Sequence, residues 1–274
     1  MTRGLLFATA LLAAGAAASP TAAQERPWTP LPSPQSAFCP DGLCQAQTLA
    51  PLFRALDGRW GGVVRIVQFG DSHTAGRLIT DALESRLRAR FPRRDIRIEP
   101  TGEVGVTLND LAGRNLPLLD AAADLIILEY GVNEGFDDTL YPAAYERLLR
   151  TQIARLRAEA PGAALLILGA PEAMRGDGGG SCADDPDRRW NSPAMLAVVR
   201  GVQARVATEA GVAFWDWRGR MGGDCSAHRL TLGTEPLMRS DHVHFTTAGA
   251  EWIGGLLYED LMTAGRAWYA QGGR

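Results

Sequence analysis

VVRIVQFGDSHTAG, residues Val63 to Gly76, decides how the rest of the chain is read. Val63, Val64, Ile66 and Val67 form an apolar, β-branched run, which predicts a buried strand. The run breaks at Gly70. Asp71-Ser72-His73-Thr74-Ala75-Gly76 is small and polar and opens into a helical pattern. A strand that turns sharply into a helix presents its turn residue at the carboxyl end of the sheet, where open α/β sheets place their sites. The backbone N–H of a serine at that turn lies near a helix N-terminus, where negative charge is favoured. That suits a nucleophile whose attack creates an oxyanion. The same serine also suits a plain helix cap, and this segment alone leaves both readings open.

The helical spacing of Leu78, Ile79, Ala82, Leu83 and Leu87 predicts a helix that Pro92 ends. Arg86, Arg88 and Arg90 fall mostly on its other faces and read as a solvated surface. Ile96 and Ile98 alternate with Arg97 and Glu99, a second strand, followed by the loop Thr101 to Thr107. Asp124 to Tyr130, DLIILEY, is a third strand that ends at Gly131-Val132-Asn133-Glu134. A helix is predicted from Pro142 to Glu159, a fourth strand from Ala163 to Leu168, and a helix after Ser192-Pro193. Val212 to Trp215 is the fifth strand, and Asp241-His242-Val243-His244 leads into a last helix, Thr247 to Ala264. Strands alternating with helices imply a parallel sheet covered on both faces. There is no internal repeat and no composition break inside this region.

The amino-terminal end reads differently. Arg3, the apolar run Leu5 to Ala18 and the small residues Thr21-Ala22-Ala23 have the pattern of a secretory signal peptide cleaved near Ala23. Residues 24–51 are rich in Pro, Ser and Gln and read as an extended linker or wrap, which leaves 52–274 as one domain. The expected address is periplasmic or secreted, with no integral membrane segment once the leader is removed. A net charge of −3 without a basic stripe argues against nucleic acid. Four cysteines fit an oxidising compartment. Cys39 and Cys44 are close enough to close a small loop, and Cys182 and Cys225 are the other natural pair, although four cysteines allow three pairings. Their spacing does not read as a metal site, and no cofactor is implied.

Polar residues stand at several of these strand ends. Ser72 can act as nucleophile and His244 as its base. Asp241, three residues earlier, can hold the second imidazole nitrogen. The backbone N–H groups of Ser72 and Gly105 and the side-chain amide of Asn133 can donate to an oxyanion.

With these residues in place the sequence resembles the SGNH or GDSL hydrolases, whose blocks contribute Ser, Gly, Asn and His in that order. GDSHT holds Ser72, GEVGVT holds Gly105, YGVNE holds Asn133, and SDHVH supplies Asp241 and His244. Gly102 competes with Gly105 for the glycine position. The resemblance runs from about residue 63 to 262. It implies a three-layer α/β/α sandwich around a five-stranded parallel sheet of flavodoxin-like type. His73 stands where many members have leucine, and Glu134 where many have aspartate. Both variants look like those of exported bacterial peptidoglycan and polysaccharide O-acetylesterases.

Several residues carry a plainer reading beside the chemical one. His242 reads as structural, because the family spacing selects His244. His73 can shape the pocket or merely start a helix. Asp71 reads as fixing the turn, and His228 as a loop residue. Trp190, Trp215 and Trp217 could stack on sugars, with core packing favoured for Trp215. Glu134 can bind substrate or pin a loop. The resulting expectation is an exported esterase that removes a small acyl group, O-acetyl first, from a carbohydrate such as peptidoglycan. A lipase, arylesterase, thioesterase or O-acyltransferase on the same fold is the near alternative. A catalytically silent glycan-binding or envelope-assembly protein is the distant one. Oligomeric state is not legible.

Overall fold

The computed structural model describes Met1 and residues 39, 42–58, 62–116 and 122–273. The expected leader (its cleavage site at Ala23 included) and most of the expected wrap lie outside the described residues. In chain order the elements are β1 Leu43–Cys44, a 3₁₀ turn Ala46–Leu49, α1 Ala50–Asp57, β2 Val63–Gly70, α2 Ser72–Ala75, α3 Leu78–Arg90, β3 Asp95–Gly102, α4 Leu108–Ala112 and β4 Leu125–Glu129. They continue with α5 Val132–Gly135, α6 Pro142–Glu159, β5 Ala164–Leu168, α7 Ala194–Ala210, β6 Ala213–Trp215, α8 Trp217–Met221, α9 Ser226–Arg229 and α10 Thr247–Ala270.

One sheet runs β1-β6-β5-β4-β2-β3. Five strands are parallel, in the register Ile66 beside Leu125, Leu125 beside Ala164, and Leu166 beside Ala213. The chain leaves β2 for β3 on one side and returns to β4 on the other. The order therefore reverses at β2, and the carboxyl end of β2 is the switch point where such sheets open a crevice. Ser72 is the second residue after that end.

The sheet has six strands where the sequence predicted five. The added strand is β1, antiparallel to β6 through Leu43–Trp215 and Cys44–Phe214. The Cys39–Cys44 disulfide holds it in a short loop, with Cα atoms 5.1 Å apart. Two residues are too few to carry a period in the sequence, but they cover an edge that would otherwise offer unpaired backbone groups.

Both faces of the sheet are buried, so β4 and β5 read as unbroken apolar runs. Val64, Ile66, Leu125, Ile127, Leu166 and Trp215 face one layer together with residues of α1, α3 and α10. Val67, Phe69, Ile126, Leu128, Ile167 and Phe214 face the other with α4, α6 and α7. A Cβ on Gly254 of α10 would stand 2.9 Å from the Cβ of Ala82 in α3, so small residues allow the two helices to close over the β2 side. Among the described residues, no helix is long and apolar enough to cross a membrane.

Candidate active site

The turn after β2 is built by Asp71. Its Oδ1 accepts the N–H of His73 at 3.0 Å, capping α2. Ser72 opens that helix, and its own backbone N–H meets no acceptor among the described residues.

The second half of the site is the loop before α10. Asp241 Oδ1 accepts the N–H groups of Val243 and His244, both at 2.9 Å. Its Oδ2 accepts from His244 Nδ1 at 2.9 Å. The other ring nitrogen, Nε2, lies 2.9 Å from Ser72 Oγ and can accept its proton. His242 takes φ +58°, a left-handed conformation that tightens the turn between Asp241 and His244. Partial burial works against a charge on Asp241. The N–H groups of His244 and Val243 and the His244 imidazole outweigh it and hold the carboxyl below its usual range. This line of groups can take a proton from Ser72 as its oxygen attacks and stabilise the imidazolium that forms.

Beneath the turn is a buried polar cluster. His73 is 7 % exposed, Asp71 0 % and Glu129 2 %. His73 Nδ1 lies 3.2 Å from Asp71 Oδ1 and 3.8 Å from Glu129 Oε1, and its Nε2–H donates to Val243 O at 3.0 Å. Burial pushes the imidazole down, but the hydrogen bond and charge of Asp71, with Glu129 and the Val243 carbonyl, carry it up to about 9. Glu129 is pushed well above the carboxylate range, first by burial and then by the charge of Asp71. Its Oε2 accepts from Thr74 N at 2.9 Å and from Thr74 Oγ1 at 2.6 Å. The donor atoms of Asp71, His73 and Glu129 lie within 4.8 Å of one another, as metal ligands can. Both ring nitrogens of His73 are already engaged by protein groups, Nδ1 by Asp71 and Nε2 by Val243 O. Sequence reasoning passed over Glu129. Its one signal was a lone carboxylate closing the apolar run of β4.

The oxyanion candidates share this sheet edge. Gly105 has φ +78°, and its backbone N–H meets no acceptor among the described residues. Gly102 serves a different need, since a Cβ there would lie 2.5 Å from Ala75 N and 2.7 Å from Asp71 O. Gly102 lets β3 pack on the turn that carries Ser72, whereas Gly105 shapes the loop. Asn133, just after β4, donates one Nδ2 hydrogen to Val106 O at 2.7 Å, which leaves the second for another acceptor. Glu134 pins the same loop by accepting Leu108 N at 2.7 Å. Burial raises its carboxyl to about 7.

Burial keeps Trp215 and Trp217 from stacking on a sugar. Trp215 and Trp217 are 0 % and 1 % exposed. Trp190 stacks on His242 with ring centroids 3.5 Å apart. His228 is buried, and its Nδ1 shares a hydrogen bond of 3.0 Å with His242 Nε2, while its Nε2–H donates to Asp184 O at 3.0 Å. Cys182 and Cys225 are bonded, with Cα atoms 5.6 Å apart. Beside Ser72 and His244 is a cavity of about 360 Å³ with Leu78, Ile79, Val104, Arg239 and Phe245 on its walls. Neither Cys182 nor Cys225 lines it. A larger cleft, about 630 Å³, lies between Phe91–Arg94 and α10 at the amino end of β2 and β3, away from these residues.

Residues 69–252 match the model of the GDSL-like lipase/acylhydrolase family. Among solved structures, a peptidoglycan O-acetylesterase superposes with a TM-score of 0.71 at 20% identity, over 80% of this chain and 96% of its own. A two-domain esterase active on acetylated mannans gives 0.58 at 18% identity, over 82% of this chain and 56% of its own. An acetyl xylan esterase from Geobacillus stearothermophilus gives 0.52 at 19% identity, over 74% and 94%. No curated protein matches the sequence significantly.

Proposed function

The chain belongs to the GDSL-like lipase/acylhydrolase family, and from that premise we propose that it is an exported serine esterase removing a small acyl group, O-acetyl first, from a carbohydrate such as peptidoglycan or another envelope polysaccharide. The observation that carries this reading is the unbroken line from Ser72 Oγ through His244 to Asp241, with both links at 2.9 Å.

Ser72 Oγ attacks the acyl carbon while His244 Nε2 takes its proton. The N–H groups of Ser72 and Gly105 and the free hydrogen of Asn133 Nδ2 hold the oxyanion. The imidazolium then gives its proton to the departing sugar oxygen as the ester C–O bond breaks, which frees the sugar hydroxyl and leaves the acyl group on Ser72. Water, activated by the same nitrogen, releases the acid and restores the serine. Two disulfides and the leader-like amino terminus support export. The carbohydrate esters in the names of the superposed structures support a glycan substrate. The apolar wall of Leu78, Ile79 and Phe245 favours a second reading, a longer acyl ester handled by the same residues.

Hydrolysis of p-nitrophenyl acetate tests the chemistry, and acetate release from O-acetylated glycans tests the substrate. Ser72→Ala and His244→Ala should each cost on the order of 10⁶-fold in turnover, as in other serine hydrolases, and Asp241→Ala less. A Ser72→Ala protein with near wild-type turnover would sink the mechanism.

A further inference from the structure

Among the described residues, Arg239 is the one permanently charged side chain on the wall of the cavity beside Ser72, and none of their carboxylates lines that cavity. Its backbone N–H donates to His244 O at 2.8 Å, which sets the two backbones side by side. Its Nε–H donates to Phe245 O at 3.2 Å, which orients the guanidinium. Arg239 forms no ion pair among the described residues. Most other arginines near this edge are committed. Arg77 pairs with Asp81, Arg86 with Glu251, and Arg175 with Asp138 and Asp177. An oriented guanidinium with its terminal nitrogens unpaired, in a pocket without acidic groups, is complementary to a planar anion. A single cation matches a single charge, which favours a carboxylate over a phosphate.

We infer that Arg239 anchors a carboxylate of the substrate, so that the ester this pocket takes is carried on an acidic sugar. This rests on the esterase reading and narrows its substrate class. The carboxylate can belong to a hexuronic acid or to a free lactyl ether on an amino sugar. Either would sit close to the acylated hydroxyl, because Arg239, Ser72 and His244 line the same cavity of about 360 Å³.

Equilibrium binding separates this from the esterase reading, because it needs no turnover. The Ser72→Ala protein is titrated by calorimetry with an O-acetylated hexuronate oligosaccharide, with an O-acetylated amino sugar bearing a free lactyl acid, and with each after its carboxyl is reduced to an alcohol. At least one acid should bind about ten- to a hundredfold more tightly than its reduced form, as expected for a charge-assisted pair. The arm that shows the difference identifies the acid. Adding Arg239→Gln should erase the difference, and Arg239→Lys should keep part of it. Equal affinity for acid and alcohol in both arms, or a preference that survives Arg239→Gln, would overturn the inference. Loss of p-nitrophenyl acetate hydrolysis in the wild type would instead count against the esterase reading.

Discussion

The Nε2–H of His73 donates to the carbonyl oxygen of Val243 across 3.0 Å. The residue after the proposed nucleophile therefore holds the residue before the proposed base. Ser72 and His244 come from segments 172 positions apart in sequence, and in the proposed reaction their own hydrogen bond breaks at every turnover. The His73–Val243 bond carries no reacting proton and can stay. Its donor is charged and anchored on Asp71, and charge-assisted hydrogen bonds are the stronger kind.

Replacing His73 should thus act on geometry and on stability. A base loop displaced by about 1 Å can cost about 10² in rate, so His73→Phe should lower kcat on p-nitrophenyl acetate by about 10- to 100-fold. The sign of the pH effect follows from the raised imidazole. Its folded value is about 9 against an ordinary 6.5, so its stabilising contribution is complete below pH 6.5 and lost as pH rises through 9. The size is on the order of 3 kcal/mol. Urea unfolding at pH 6 and pH 9.5 should show a loss larger by about this amount in the wild type than in His73→Phe, since Glu134 titrates in both. An equal loss in both proteins would remove His73 from the account.

Asn133 has two tasks that kinetics can separate. One amide hydrogen holds Val106 O, and the other is available to the oxyanion. Removing an oxyanion donor typically costs 10²–10³ in kcat with little change in KM. Asn133→Ala should fall in that range. An unchanged kcat with a raised KM would leave only substrate binding.

Much of this was legible in the sequence, for identifiable reasons. LIILE and ALLIL are buried on both faces, so β4 and β5 appear as continuous apolar runs. Ser72 sits in a short strand–turn–helix segment, and Asp241 and His244 lie within one turn of each other, so local spacing reveals them. The hidden residues are those whose partners are remote. His228 looks like a loop residue until the fold brings it to His242, 14 positions away. Glu129 is masked by the apolar strand it closes, and its partner Thr74 lies 55 residues earlier. Gly102 and Gly105 look equivalent in TGEVGVT, because close approach and a positive φ both demand glycine.

Glu134 offers a second pH test. Burial raises its carboxyl to about 7 from 4.5. Its proton is therefore held more tightly in the folded state, and stability from this group is complete below pH 4.5 and lost as pH rises through 7. Glu134→Gln keeps an oxygen for the Leu108 N–H and removes the titration. The variant should match the wild type near pH 4.5 and exceed it in Tm at pH 8.5. A variant less stable than wild type at pH 8.5 would mean that the carboxylate is held there as an anion.

The Cys182–Cys225 disulfide should affect activity without touching substrate. It does not line the cavity at Ser72, so it forms no wall of the site. Its influence has a defined route instead. Asp184, two residues after Cys182, accepts the Nε2–H of His228, three residues after Cys225. His228 bonds to His242, and His242 lies between Asp241 and Val243 in the loop that carries His244. His242 O in turn accepts the N–H of Met174 at 3.0 Å. The bridge thus closes a frame behind His244, and Trp190 lies flat on that frame. Loop closure over 43 residues is worth about 4 kcal/mol in the chain-entropy account. Cys182→Ala/Cys225→Ala should lose about 2–5 kcal/mol of stability in urea. If the frame transmits to the base, kcat on p-nitrophenyl acetate should also fall several-fold at a temperature where the variant is fully folded. His228→Phe, which keeps the disulfide but breaks both hydrogen bonds, should reproduce the fall in kcat. A double-cysteine variant that is less stable yet turns over at the wild-type rate would reduce the bridge to a staple.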